Sequence, residues 1–122
     1  MDLDGVVSGS PSNSVGGDVD SETRFHYRQD GSEIWADYSG GSVQRGFLVG
    51  VRHGDDLSFR YVHLTVDGEI SSGRCESTLS RGDDGLLMLD ETWTWESREG
   101  SGTSRLQEIK DVGGNSTGDS DF

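Results

Sequence analysis

The sequence has 122 residues, of which 23 are acidic and 10 are basic, so its formal net charge is −13. A chain of this length forms one domain with a single core, and 30% hydrophobic residues with 19 glycines are more typical of a small all-β domain than of a helical bundle. The negative charge excludes nucleic acid as an expected partner, because phosphate binding requires basic patches.

The N-terminal segment MDLDGVVSGS is acidic where a signal peptide needs positive charge, so we expect no secretion. No run approaches the roughly 18 apolar residues of a membrane span, and we expect no membrane partner. The single cysteine, Cys75, cannot form an internal disulfide and fits a reducing compartment. These features together predict a cytoplasmic protein.

The acidic residues are spread along the chain in short clusters, and nine of the ten basic residues are arginine, with Lys110 as the single lysine. Dissolved salt screens the self-repulsion of such a surface. The pattern therefore predicts an acidic, halophilic protein from a cell that accumulates salt. A mesophilic protein with a basic partner is the alternative, and it would favour clustered acid.

Glycine-rich turn signals recur at a regular spacing through the middle of the chain. Asp-Gly and Gly-Gly pairs supply the positive φ angles that two-residue β-hairpin turns require. The signals are QDGS at 29–32, SGGS at 39–42, RHGDD at 52–56, VDGE at 66–69, SRGDDG at 80–85 and SREGSG at 97–102. This spacing predicts a series of hairpins.

The segments between these turns are rich in Val, Ile, Thr and aromatic residues, which is typical of β-strands. They read TRFHYRQ, EIWADYS, VQRGFLVGVR, LSFRYVHLTV, EISSGRCEST, GLLMLDETWTWE and TSRLQEIK, and DGVVSGS near the N-terminus would add an eighth strand. Short connections predict that sequential strands are antiparallel neighbours.

The predicted fold is all-β: a single antiparallel up-and-down β-barrel of about eight strands, with lipocalin-like or avidin-like architecture. We expect the barrel domain over residues 1–111 and a disordered, flexible, polar and acidic tail over residues 112–122, with residues 1–4 frayed. An eight-stranded barrel is filled by its own side chains or holds one small ligand.

Three stretches, FHYRQDGSEIWADYSGGSVQRGFLVG, RYVHLTVDGEISSGRCEST and LMLDETWTWES, together resemble a family of small bacterial and archaeal proteins commonly named n-acetylglutamate synthase. The resemblance covers about residues 21–109 and implies a small cytosolic β-barrel without an assigned mechanism.

The residues themselves do not support the enzyme name. The acetyltransferase type of synthase holds the acetyl-CoA pyrophosphate on a Q/R-x-x-G-x-G/A loop that opens a helix. The nearest match, RQDGSE at 28–33, lacks the last small residue and lies at a predicted hairpin turn. We therefore treat the name as a misannotation and expect no cofactor.

The strand that contains LDETWTWES places Leu89, Glu91, Trp93 and Trp95 on one face at the two-residue period of a strand. Glu91 would thus lie among apolar residues. A buried carboxylate is very costly without a partner, so we expect Arg60, Tyr27 or His63 to contact it. Its role is either structural, as a member of an ion pair, or ligand-orienting, beside an aromatic wall.

Other strands offer further polar and aromatic side chains that could converge inside the barrel. Phe25 and Tyr27 share a face with Gln29. In LSFRYVHLTV one face carries Leu57, Phe59, Tyr61 and His63 and the other carries Arg60, Val62 and Leu64, and the sequence leaves open which of the two points inward. The full set of candidate ligand-binding residues is Tyr27, Gln29, Tyr38, Arg60, Tyr61, His63, Cys75, Glu91, Trp93 and Trp95.

The sequence contains no established catalytic or metal-binding motif. The three histidines and Cys75 lack the spacing of metal ligands, so no metal is predicted, and no sequence feature places a base beside Cys75. Whether the protein is an enzyme is left open, with the residues favouring a non-enzymatic role and naming no catalytic residue.

Three functions remain after these exclusions. Binding of a small ligand inside the barrel is favoured, in a protein that is a monomer or homodimer. A small isomerase-like or cyclase-like enzyme with Glu91 and His63 as acid and base is the alternative. A solidly packed structural or oligomerising module is the third. The first two require an interior cavity and the third forbids one.

Overall fold

Segments in which apolar and polar residues alternate form eight antiparallel strands. The structure is a computed structural model that describes residues 2–10 and 18–109. The strands are β1 (Val7–Gly9), β2 (Arg24–Asp30), β3 (Glu33–Gly40), β4 (Val43–His53), β5 (Asp56–Thr65), β6 (Ile70–Arg81), β7 (Leu87–Trp95) and β8 (Ser101–Glu108). The boundary at residue 111 and the predicted acidic tail lie outside the described residues.

Each strand pairs with the next one in sequence, and β1 also pairs with β8, so the sheet closes on itself. Ser8 lies opposite Phe25 of β2 on one side and Glu108 of β8 on the other. Closure pairs the backbone groups that an edge strand would expose. The prediction of a closed, antiparallel, up-and-down barrel of eight strands is confirmed.

The hairpin turns have the backbone conformation that their glycines predict. Gly31 has a φ of 60° in the β2–β3 turn, and Gly41 has a φ of 64° in the β3–β4 turn. Because successive turns alternate between the two ends of an up-and-down barrel, the turns after β3, β5 and β7 lie together at one end. The turns after β2, β4 and β6 lie at the other.

The inward face of β7 is the one that the sequence predicts, and on β5 the structure decides between two faces that the sequence leaves open. On β5, Leu57, Phe59 and His63 are buried, and Tyr61 between them is half-buried. On β7, Leu89, Trp93 and Trp95 are buried and Glu91 has intermediate exposure, with Asp90 and Thr92 outside. This orientation places all of these aromatic rings in the barrel interior.

The expectation of a frayed N-terminus is wrong for Leu3, which is fully buried. Its backbone N–H donates a hydrogen bond of 3.1 Å to Gln29 Oε1, and the N–H of Gly5 donates one of 2.9 Å to the carbonyl of Tyr27. Gln29 lies beside the β2–β3 turn. The N-terminal segment therefore packs against the end of the barrel that contains this turn. Burial of the Leu3 side chain offsets the conformational entropy that the segment loses when it is ordered.

Inward glycines lie directly opposite the large aromatic residues of the interior. At each of them an added Cβ would lie less than 3.0 Å from an atom of the facing aromatic residue. The cross-strand pairs are Tyr38 with Gly46, Phe59 with Gly50, Tyr61 with Gly73 and Trp93 with Gly102. The aromatic side chain itself occupies the space opposite Gly46, Gly73 and Gly102, whereas Gly50 is approached by Cα and Cβ of Phe59 and by the Ser58 carbonyl.

Gly102→Ala is predicted to destabilise the barrel, because the new Cβ would lie 2.5 Å from Trp93 Cζ2. Overpacking of this kind typically costs about 1–3 kcal/mol in free energy of unfolding. Gly82→Ala is the matched control, since its Cβ would meet Asp84 Oδ1 at 3.1 Å as its nearest neighbour, on a side chain that can move. Denaturant unfolding at constant salt measures both. Equal midpoints for the two variants would contradict the packing role of Gly102.

Candidate functional site

The barrel contains a cavity of about 50 Å³ near the end where the β3–β4, β5–β6 and β7–β8 turns lie. By the space that one buried water needs, this volume has room for about four waters, or for a ligand of about five non-hydrogen atoms. The lining is mostly aromatic and apolar and consists of Asp18, Val19, Phe25, Tyr38, Leu48, Phe59, Tyr61, His63, Cys75, Glu91, Trp93, Trp95 and Ser104.

Seven of the ten candidates chosen from the sequence line this cavity: Tyr38, Tyr61, His63, Cys75, Glu91, Trp93 and Trp95. They come from four different strands, β3, β5, β6 and β7, and the two-residue period of each strand turns them inward. Their role in binding a ligand stays a prediction.

The other three candidates lie elsewhere. Arg60 alternates with the inward Phe59 and Tyr61, so it points outward, where its Nε lies 3.2 Å from Glu96 Oε1. Gln29 lies beside the β2–β3 turn, where its Oε1 also accepts a hydrogen bond of 3.0 Å from Arg52 Nη1.

Tyr27 is inside the barrel but does not line the cavity. It is buried almost completely, and its hydroxyl has no hydrogen-bond partner among the described residues. Burial is the main cause that raises its pKa well above the usual value, and the nearby carboxyl group of Glu91 adds to the rise. Tyr27 is therefore a neutral side chain in the wall of the core.

Glu91 is correctly predicted to face inward, but the predicted partners are wrong. Neither Arg60 nor Tyr27 nor His63 forms a hydrogen bond or ion pair with it, and the hydroxyl of Ser104 on β8 donates instead, over 3.3 Å. The reason is register: Ser104 lies directly opposite Glu91, whereas Arg60 is on the outer face. The intermediate exposure of Glu91 is consistent with its position in the cavity wall.

Burial raises the pKa of Glu91 to about 8, because the charged form loses its hydration inside the barrel. The hydrogen bond from Ser104 acts in the opposite direction, and the charge of Asp90 on the outer face contributes a smaller rise. The carboxyl group is consequently mostly protonated at neutral pH when the cavity holds no ligand.

A chain of hydrogen bonds and ion pairs borders the cavity at the end opposite the N-terminal segment. The Tyr38 hydroxyl lies 2.9 Å from His63 Nδ1, and His63 Nε2 lies 2.9 Å from Asp18 Oδ2. Arg98 Nη2 contacts the same oxygen at 3.3 Å, and its guanidinium lies 4.0 Å from the centre of the Trp95 ring. These contacts attach the segment before β2 to the β7–β8 turn.

The contacts around His63 indicate which ring nitrogen carries the proton. A carboxylate beside Nε2 favours the imidazole tautomer that carries its hydrogen there, so Nδ1 accepts from the Tyr38 hydroxyl. Burial, together with nearby Tyr61 and Glu91, raises the pKa of Tyr38 well above its usual value, so the phenol keeps its proton. The oxygen of Tyr38 is then free to accept a hydrogen bond from a ligand.

The cavity also includes residues that the sequence reasoning did not choose as candidates: Asp18, Val19, Phe25, Leu48, Phe59 and Ser104. Strand alternation signals the three apolar strand residues among them, and cross-strand pairing with Glu91 would signal Ser104 once the register is known. Asp18 and Val19 lie in a connection between strands, where no periodicity marks an inward residue.

Cys75 lines the cavity as a buried free thiol. Burial is the main cause that raises its pKa far above the usual range, and the carboxyl group of Glu91 adds to the rise. A thiol that keeps its proton is a poor nucleophile. Across residues 2–10 and 18–109, no group of three or more His, Cys, Asp or Glu side chains is arranged to hold a metal ion.

Glu91→Gln is predicted to become progressively more stable than the native protein as pH rises. Unfolding returns Glu91 to its usual pKa of 4.5, so the unfolded chain releases a proton that the folded protein holds. The native protein therefore loses stability between about pH 4.5 and pH 8, while the amide of the variant does not titrate. The difference should grow by on the order of 3 kcal/mol across this range.

Denaturant unfolding at a series of pH values measures this difference. Glu96→Gln is the control, because Glu96 is an exposed glutamate of the outer surface that pairs with Arg60. A difference between Glu91→Gln and the native protein that does not change with pH would show that the carboxyl group is not buried as described.

Comparison with known protein families agrees with the barrel architecture. The model of the family described as "Avidin-like protein" matches residues 1–109, which include every strand of the barrel. No curated protein and no solved structure matches the chain, and nothing in these comparisons supports the synthase name. By its sequence from residue 1 to residue 109 and by its closed eight-stranded barrel, the chain belongs to the avidin-like family.

Proposed function

We propose that this protein binds a small organic ligand inside its barrel, in the cytoplasm. The observation that carries the proposal is the cavity itself: about 50 Å³ of space bounded by aromatic rings, with a small number of polar groups directed into it. This is the usual composition of a ligand site. The buried free thiol of Cys75 fits the reducing compartment that we assign to the protein.

Two polar features on opposite walls would orient the ligand. Tyr38 is on β3 and Glu91 is on β7, and these strands are four positions apart in a closed ring of eight. The phenol oxygen of Tyr38 is available as an acceptor, and Glu91 retains an oxygen to which Ser104 does not donate. A ligand between them could form one hydrogen bond to each wall.

The family supports the same function. Avidin-like barrels typically bind small ligands such as biotin. Biotin is larger than the roughly five non-hydrogen atoms that the empty cavity accommodates by the space each water needs. Because of the family, biotin is a necessary probe for this protein. Because of the cavity volume, we expect smaller molecules to be better ligands.

The two alternative functions have less support. A cavity is contrary to what a solidly packed module requires. For the acid–base enzyme, both ring nitrogens of His63 are engaged, one by Tyr38 and one by Asp18, so neither is free to accept a proton from a substrate. Ligand binding needs no such free base.

A cavity-filling variant tests ligand binding. Ser104→Leu would place a larger side chain into the cavity wall, whereas Thr103→Leu adds a leucine to the exposed outer face of the same strand. We expect saturation-transfer NMR to detect binding of some members of a set of small soluble fragments, of about eight non-hydrogen atoms or fewer. Biotin is included as a separate probe.

Binding should occur with the native protein and with Thr103→Leu, and should be lost with Ser104→Leu. Fragments that still bind after the cavity is filled would place the site elsewhere on the molecule. Failure of the native protein to bind any fragment or biotin would contradict the proposed function.

A further inference from the structure

The carboxyl group of Glu91 faces the cavity without a cation to neutralise it. Within the described part of the chain, no arginine or histidine nitrogen lies within 4.0 Å of it, and its hydrogen bond comes from the neutral hydroxyl of Ser104. Arg105, on the adjacent strand β8, points outward and pairs with Asp90 over 2.7 Å. Arg98 is held outside by Asp18 and Glu69.

Aromatic rings form much of the remaining wall around this carboxyl group. The Trp93 and Trp95 rings are 5.6 Å apart at an angle of 59°, and the Tyr61 and Trp95 rings are 5.8 Å apart at 66°. All three residues line the cavity together with Glu91. The face of an aromatic ring carries negative electrostatic potential, so rings in a cavity wall can attract a positively charged group that lies over their faces.

We infer that the ligand of this cavity is a small organic cation, an ammonium nitrogen that carries alkyl groups, with its charge against Glu91 and its alkyl groups against the rings of Tyr61, Trp93 and Trp95. The inference rests on the proposed function. An anionic ligand would find no cation in the cavity wall, and a neutral ligand would leave the carboxyl group of Glu91 protonated, whereas a cation can pair with its ionised form.

The charge of the whole molecule favours the same class of ligand. A net charge of −13 attracts cations toward the barrel and repels anions. At the rim of the cavity the charge of Asp18 is balanced by Arg98, which is not part of the cavity lining, so the attraction comes from the net charge of the chain and from Glu91.

Tetramethylammonium and tert-butanol test the inference, because each has five non-hydrogen atoms in a similar compact shape and only the first is charged. Titrations at constant ionic strength, with sodium chloride replaced by tetramethylammonium chloride, are followed by tryptophan fluorescence in a Trp35→Phe background, where Trp93 and Trp95 of the cavity wall supply the signal. We expect tetramethylammonium to bind at least about tenfold more tightly than tert-butanol. Glu91→Gln should abolish this advantage and leave the affinity for tert-butanol unchanged.

The outcomes separate this inference from the proposed function. If tert-butanol or neutral fragments bind and tetramethylammonium does not, the cation inference is wrong and a ligand site remains. The inference is also wrong if Glu91→Gln binds tetramethylammonium as tightly as the native protein does. If nothing binds, including the fragments and biotin, both proposals fail.

Discussion

The limited width of an eight-stranded barrel is the constraint on which the rest of this structure depends. Its interior is just wide enough for side chains, so a large ring fits only where a neighbouring residue is small. The protein meets this requirement by placing a glycine opposite the ring, as Gly73 lies opposite Tyr61 and Gly102 opposite Trp93. The cavity walls are therefore built in cross-strand pairs, each of which spans two neighbouring strands.

The two ends of the barrel differ because different segments pack against them. At the end beside the β2–β3 turn, Leu3 is buried and brings an apolar side chain into the core. At the other, Asp18 and Arg98 form a polar boundary with His63. The cavity lies beside the polar boundary, at the end of the barrel away from Leu3.

Electrostatics inside and outside the barrel act in the same direction. The acidic excess of the chain lies on a surface that salt can screen, whereas Glu91 lies where water cannot reach it freely. A carboxyl group without a cationic partner in such a place resists ionisation, and a bound cation would supply the charge that the protein does not. The buried group and the overall charge thus favour one class of ligand.

The sequence by itself determined the fold and the inward face of β7. Alternation placed Glu91, Trp93 and Trp95 on one inward face, because a side-chain period of two follows from strand geometry, but it left open which face of β5, that of Tyr61 or that of Arg60, points inward. Turn glycines gave the order of the hairpins for the same local reason. Among the candidates, the residues that turned out to line the cavity were those on inward faces near one end of the barrel.

Only the tertiary structure decided which of these side chains meet. The partner of Glu91 is Ser104 and not Arg60, because register across β7 and β8 determines the neighbour, and register depends on the whole sheet. Asp18 contacts His63 although the two residues are 45 positions apart in the sequence. Asp18 lies in the connection before β2, where no alternation of apolar and polar residues indicates which side chains point inward. The size of the cavity likewise depends on how several rings and glycines pack together, which no single strand specifies.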